Sequence, residues 1–442
     1  MTLTALPRRA GWRYGLLTPG LLTLGVLLGA CGNLPAPGPA QSSAAASSSG
    51  NTGTSAVSRL IVTAALSGPV PMPGSVWVAS ASPSQVSVTA QSVPGLTIEV
   101  GAAVADGSGV RVPITVSGQA GQGLSVRLSV RAGGPTRSVD LPVLALERRP
   151  LPVAGYQASS LRATGGKVYL LPPVNAPDPQ RHTVITVDAA SGAAQAEELP
   201  LSDTEGLTSQ VIAPDGTRYL LVQNVAGNWV GAAKPGAALR HLPLGTPGDT
   251  LNSLTRSSDG RLWALQYRQD ALLELDPLSG TQQAHPVQDN AEDLIASASG
   301  PLYFSRFYTA PAIIRFDPST QQTQAFPVGV SGKSYPRLLT SSGSLVWFMD
   351  AWSRKVGRLD TASGQVSDVN LPAGASIAAL SAAPDGTLWA ADLSRHALYR
   401  WLPGQLDAQA VNVPGDGPRA LGLDAASQVW FESSGALYHL SP

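Results

Sequence analysis

The sequence predicts an all-β chain, a small sandwich followed by a seven-bladed propeller, and three observations carry that prediction. An aromatic residue recurs just after a turn at Tyr169, Tyr219, Trp263, Tyr303, Trp347, Trp389 and Trp430, at separations of 50, 44, 40, 44, 42 and 41 residues. A period near forty with four short strands per unit marks propeller blades, and seven anchors give seven blades. Upstream, between Arg59 and Leu144, short β-branched runs alternate apolar and polar residues, as strands with one wet face do. Finally, 46 Gly and 37 Pro against only 13% charged residues describe a turn-rich chain rather than a helical one.

Composition also sets limits. The 29 basic residues balance 29 acidic ones, and no Lys/Arg run follows the N-terminus, so nucleic acid is not an expected partner. At 442 residues the chain has length for two or three domains. A single cysteine, Cys31, excludes an intrachain disulfide and needs another explanation in an exported protein.

Its position supplies one. Met1 to Tyr14 carries Arg8, Arg9 and Arg13 with no acid, and Gly15 to Leu28 is an apolar run of signal-peptide length, short for a bilayer span. It ends in Leu28-Gly29-Ala30-Cys31, which resembles the bacterial lipobox. The resemblance implies a signal peptide over residues 1–30, cleavage before Cys31 and acylation of its thiol. Each buried methylene of such chains contributes about 0.8 kcal/mol, so the expected partner is a membrane and the expected location the cell envelope. An ordinary secreted protein with a chance cysteine is the alternative. Residues 31–58, rich in Ser, Ala, Pro and Gly, cannot bury enough apolar surface to offset ordering entropy and are expected to be a disordered tether. As a flexible coil it would span roughly 30 Å.

Residues 59–144 contain Leu60-Ile-Val-Thr, Ser75-Val-Trp-Val, Gln85-Val-Ser-Val-Thr, Leu96-Thr-Ile-Glu-Val, Val110-Arg-Val-Pro-Ile-Thr-Val and Leu124-Ser-Val-Arg-Leu-Ser-Val. Turn clusters such as Asp106-Gly-Ser-Gly separate them at sandwich spacing, which reads as an immunoglobulin-like domain of about seven strands without a Cys-Trp-Cys pattern. Its expected role is a spacer, with Trp77 a packing residue before a ligand contact.

Residues 145–442 form the repeat. In each unit strand a precedes a tight turn (Asp215-Gly216, Asp259-Gly260, Asp385-Gly386), strand b carries the aromatic, strand c ends at an Asp, and strand d ends near a Pro. Asp-Gly supplies the two positive-φ residues of a type I′ turn, and Asp188, Asp276 and Asp360 each open an Asp-x-x-Ser-Gly turn. A Ca²⁺ site is the sharper alternative for these aspartates, yet no blade has the alternating Asp/Asn ligand string. After Trp430 only strands b and c remain, so the last blade lacks its outer strand. Leu146-Glu-Arg-Arg-Pro-Leu-Pro is expected to supply it and close the ring.

Trp347-Phe-Met-Asp, with Lys355-Val-Gly-Arg-Leu-Asp, Thr361-Ala-Ser-Gly-Gln-Val and Val369-Asn-Leu-Pro, resembles the blade repeat of the streptogramin (virginiamycin B) lyase-like propellers. That resemblance implies metal-assisted elimination on a cyclic depsipeptide or lactone by histidines and a glutamate on the top face. Here the equivalent acids are Asp350 and Asp392, position +2 holds Trp352 and Ser394, and no Glu-x-His occurs. Of five histidines, His241 and His285 fall in outer strands, His439 in a terminal strand c and His182 beside a Pro-rich loop. Only His396 lies in a top-face loop, as a metal ligand or base or else a surface loop residue.

Binding without catalysis is therefore the expected function, with no cofactor; Mg²⁺ enters only with the lyase alternative. The candidate contacts on the top face are Tyr267, Arg268, Arg306, Tyr308, Arg337, Asp350, Trp352, Asp392, His396 and Arg419, near Gln266 and Tyr335. Aromatics interleaved with arginines suit a peptide, glycan or anionic group, met by a monomer. No catalytic residue and no metal ligand is assigned.

Overall fold

The computed structural model describes residues 66–441 apart from short segments, most of them in loops. Cys31, the signal peptide and the tether lie outside the described residues, as do the candidate contacts Tyr267, Arg268 and Tyr308.

Two small sheets come first. One joins Met72–Val78, Gly109–Gly118 and Leu96–Val100, with Val104–Asp106 on its edge; the other joins Val86–Ala90, Ser125–Ala132 and Arg137–Pro150, with Leu66–Ser67 added in parallel. Val110, Val112, Ile114 and Val116 are buried while Arg111 and Pro113 between them are exposed, the period of two that the sequence shows. These residues meet Val126, Leu128 and Val130 of the second sheet in one core.

Arg137–Pro150 is one continuous strand of 14 residues with two partners. Its first half pairs with Ser125–Ala132 and its second half with Ala436–Ser441, from Ser441↔Ala145 to Ala436↔Pro150. The boundary expected at 144/145 thus falls inside a strand, because Leu141-Pro-Val-Leu-Ala-Leu contains no turn signal. The strand is also the missing outer strand of the last blade.

Seven four-stranded antiparallel units follow among the described residues, six of consecutive strands and a seventh completed by this strand. Their inner strands are Ser160–Thr164, Gly206–Ile212, Leu251–Arg256, Ala291–Ala296, Pro336–Ser342, Ile377–Ala382 and Ala420–Leu423. Each packs on the next, and the last packs on the first, which makes a closed ring. Inner strands have a free edge on the axis, so their unpaired N–H groups need partners. Hydroxyls from the preceding blade supply several: Ser209 Oγ accepts from Leu254 N at 3.2 Å, Thr255 Oγ1 from Ala296 N at 3.1 Å, Thr340 Oγ1 from Ala382 N at 3.2 Å.

All seven anchor aromatics are buried. They pack across blade boundaries, as Trp263 does with Phe304 and Phe316 of the next blade. Arginines cover several of the rings: Arg218 lies 5.1 Å from Tyr169, Arg400 5.5 Å from Trp389 and Arg149 5.0 Å from Trp430.

The turns need one correction. Gly216, Gly260 and Gly386 have φ of 83°, 96° and 87°, but the aspartates before them do not have positive φ, so these are not type I′ turns. Gly216 N instead bonds Ala213 O and Ala213 N bonds Thr217 O, a four-residue turn in which only the glycine is left-handed. Asp188, Asp276 and Asp360 are turn residues: Asp188 Oδ1 accepts from Ser191 N at 2.8 Å, Asp276 Oδ1 from Leu278 N at 2.8 Å, Asp360 Oδ1 from Ala362 N at 3.0 Å.

Candidate ligand site on the top face

Strands alternate in direction within a blade, so the b–c and d–a connections share one face. Asp350 and Asp392 end strand b in blades five and six, opposite the first residues of the inner strands, Pro336 and Ile377. Both are buried. Asp350 Oδ1 accepts from Tyr335 N at 2.9 Å, Trp352 N at 3.0 Å and Ser353 N at 3.4 Å. Asp392 Oδ1 accepts from Ser376 N at 3.0 Å, Ser394 N at 3.0 Å and Arg395 N at 3.3 Å, and from Ser394 Oγ at 2.8 Å. Tyr399 Oη donates to its other oxygen at 3.1 Å. Each carboxylate fastens a d–a loop to a b–c loop. They hold the loops that carry the surface rather than forming the surface.

His396 is exposed and has φ of 52°. Asp270 and Arg354 occupy the same place, immediately before strand c, with φ of 49° and 55°. His396 O accepts from Val413 N as Asp270 O accepts from Val287 N, so its backbone serves a recurring turn. Asp350, Asp392 and His396 thus do not fit the magnesium that the lyase alternative requires. Asp392 takes hydrogen-bond donors on both oxygens and Asp350 takes three on Oδ1, and among the described residues no three His, Cys, Asp or Glu gather as a metal-binding group.

What does gather is basic. Arg337, Met349, Ala351, Arg354, Ala375, Ser376 and Ile377 line a groove of about 220 Å³ between blades five and six. Trp352, on the loop between Ala351 and Arg354, is 62% exposed, and no carboxylate lines the groove. Towards blade four, Arg337 faces the charge of Glu292, whose carboxyl is pushed up by burial against the pull of a Tyr335 hydrogen bond. The Tyr335 ring meets Phe307 edge-on at 4.7 Å. The other candidates are occupied locally: Arg306 Nε donates to Ala310 O at 2.9 Å, and Arg419 Nη2 to Asp416 Oδ2 at 2.7 Å. The structure therefore brings Arg337 and Arg354 to one groove, with Trp352 on the loop that carries Arg354, and leaves Arg306 and Arg419 on other blades.

Sequence reasoning missed Glu432. It is fully buried opposite Ala420, the first residue of its inner strand, as Asp392 is opposite Ile377. It stands two residues after Trp430, whereas Asp392 stands three after Trp389. Its Oε1 accepts from Gly435 N at 3.0 Å and its Oε2 from Ala158 N at 3.3 Å, which ties the last blade to the entry of the first. Burial pushes its carboxyl from the ordinary 4.5 to about 7.

The fold holds this proton more tightly than the unfolded chain, so the contribution is full below pH 4.5 and is lost as pH rises through 7. Over that window it amounts to about 3 kcal/mol. Chemical denaturation at pH 5 and pH 8 should show Glu432→Gln gaining on the wild type by about 2–3 kcal/mol at the higher pH. Parallel pH profiles for the two proteins would contradict the assignment.

This ring of blades defines the class of protein, a β-propeller. No family model matches the chain, and no curated protein matches it. Among solved structures it is similar to a streptogramin B lyase, with 18% identity and a TM-score of 0.57 over 67% of this chain and 97% of that one. A virginiamycin B lyase from Staphylococcus aureus, in selenomethionine form, gives 16% and 0.58 over 68% and 99%. A chain titled Kuenenia stuttgartiensis hydrazine synthase gives 14% and 0.52 over 66% and 97%. At these identities the likeness establishes the architecture, that of the streptogramin lyase propellers, and carries no activity with it.

Proposed function

We propose that this is a lipid-anchored cell-envelope protein whose propeller binds a peptide, glycan or other ligand through an anionic group on its top face, without catalysis. The observation that carries the reading is the groove of about 220 Å³ with Arg337 and Arg354 in its lining and the exposed Trp352 on the loop between the lining residues Ala351 and Arg354. Guanidinium groups take carboxylate or phosphate in a fork, and an exposed indole supplies a flat apolar contact at low entropic cost. Acylated Cys31 would hold the protein at the membrane and residues 31–58 would space it away. The two-sheet unit, read as an immunoglobulin-like spacer, shares a strand with the last blade and would carry the propeller stiffly.

A mass spectrum of Cys31 from the membrane fraction tests the anchor: a diacylglyceryl-modified N-terminal cysteine is expected, and a free thiol on an uncleaved chain would refute it. The binding reading is tested by titrating acidic peptides and muropeptides against the full chain. Arg337→Gln and Trp352→Ala should each weaken binding about tenfold or more, as loss of a buried anchor does. The streptogramin lyase-like alternative, elimination on a cyclic depsipeptide or lactone, draws its support from the fold likeness. Turnover of such a substrate that needs a divalent cation and fails in Asp350→Ala or His396→Ala would favour it.

A further inference from the structure

On the opposite half of the ring lies a second space, open to solvent. All seven inner strands contribute, with the ends that approach the a–b turns, to a channel cavity of about 400 Å³. It has room for on the order of ten waters. Its lining includes two arginines, Arg162 and Arg256, and the hydroxyl residues Thr164, Thr255, Thr340 and Ser381, but no carboxylate.

Arg162 is the unusual member. Its side chain is exposed to the channel, and the protein around that channel lowers its affinity for its proton. Neither Arg162 nor Arg256 hydrogen-bonds to a described residue. The one carboxylate whose charge reaches Arg162 is Asp293, on the inner strand of blade four. Asp293 is engaged elsewhere: its Oδ1 accepts from Ser253 Oγ at 3.3 Å and Leu294 N at 2.9 Å, its Oδ2 from Leu339 N at 2.7 Å. Burial also biases Asp293 towards its neutral form. A guanidinium that faces a lumen with unused donors is open to a charged acceptor, which binds it more strongly than water does.

We infer that the lower channel is a binding site for a small inorganic oxyanion, phosphate or sulfate, held by Arg162 with Arg256 at its mouth and by hydroxyls of the inner strands. The site lies on the axis and is separate from the top-face groove between blades five and six.

The experiment is calorimetric titration of the full chain with inorganic phosphate, and with sulfate, at ionic strength held constant with chloride. One saturable site and a rise in the thermal midpoint are expected. Arg162→Gln should weaken binding at least tenfold and Arg256→Gln a few-fold. Arg337→Gln should leave it unchanged. Arg162→Lys, which keeps the charge, should retain part of the affinity and shows that loss in Arg162→Gln is not loss of fold. Binding no stronger than that of chloride, equal affinity in Arg162→Gln, or loss in Arg337→Gln would overturn the proposal.

Discussion

A chain truncated after Ser434 should lose the cooperative unfolding of its propeller rather than merely one edge strand. Ala436–Ser441 lies between Val429–Ser433 on one side and the second half of Arg137–Pro150 on the other, so its removal opens the ring. Leu437, Tyr438 and Leu440 are all buried. At about 1.5–3 kcal/mol each, their burial alone contributes about 5–9 kcal/mol, comparable to the 5–15 kcal/mol of net stability typical of a folded domain. Two unpaired strand edges would be exposed as well, with the tendency to aggregate that such edges bring. Tryptophan fluorescence melting should show a midpoint at least about 10 °C lower or no sharp transition. A truncated chain melting within a few degrees of the full one would show that the closure is dispensable.

The second large effect is expected at Asp392. Replacement by alanine removes the acceptor for three backbone N–H groups, one hydroxyl of Ser394 and the phenol of Tyr399, in a place with no solvent exposure. Buried donors left without acceptors cost about 1–3 kcal/mol each, reduced where the loop can turn towards water, so a loss of about 3–6 kcal/mol is expected. Asp350→Ala should cost less, since it loses three bonds on a less enclosed residue. Denaturant midpoints give both values. Hydrogen exchange in Asp392→Ala should also accelerate at Leu393 to His396, the loop that the carboxylate fastens. A midpoint within 1 kcal/mol of wild type would mean that the loop is held by other means.

Much of the architecture was legible because it depends on burial. An aromatic on every strand b must pack between blades, so its spacing records the blade period, and the alternation of Val110 to Val116 records a face. The closing strand was legible for a related reason: a last blade with no fourth strand needs a partner. Other features depend on backbone geometry that the residue types do not fix. Asp-Gly suits both a type I′ turn and a turn with glycine alone left-handed, and the structure uses the second. Asp350 and Asp392 stand where a family catalytic acid would, but whether a carboxylate faces solvent or a ring of N–H groups is decided by loop paths. Glu432 was hidden because it stands one residue nearer its tryptophan than Asp350 and Asp392 stand to theirs. Arg162 and Arg256 read as the polar residues of alternating strands. Only closure of seven strands around an axis turns them into neighbours of one cavity.

On the function proposed, the top face binds a ligand and releases it unchanged. Its most direct test is titration of acidic peptides and muropeptides against the full chain, with and without EDTA, followed by chromatography of the recovered ligand. Saturable binding is expected that EDTA does not alter, that falls about tenfold in Arg337→Gln and in Trp352→Ala, and that returns the ligand intact. Formation of a product, or binding untouched by those two substitutions, would contradict it.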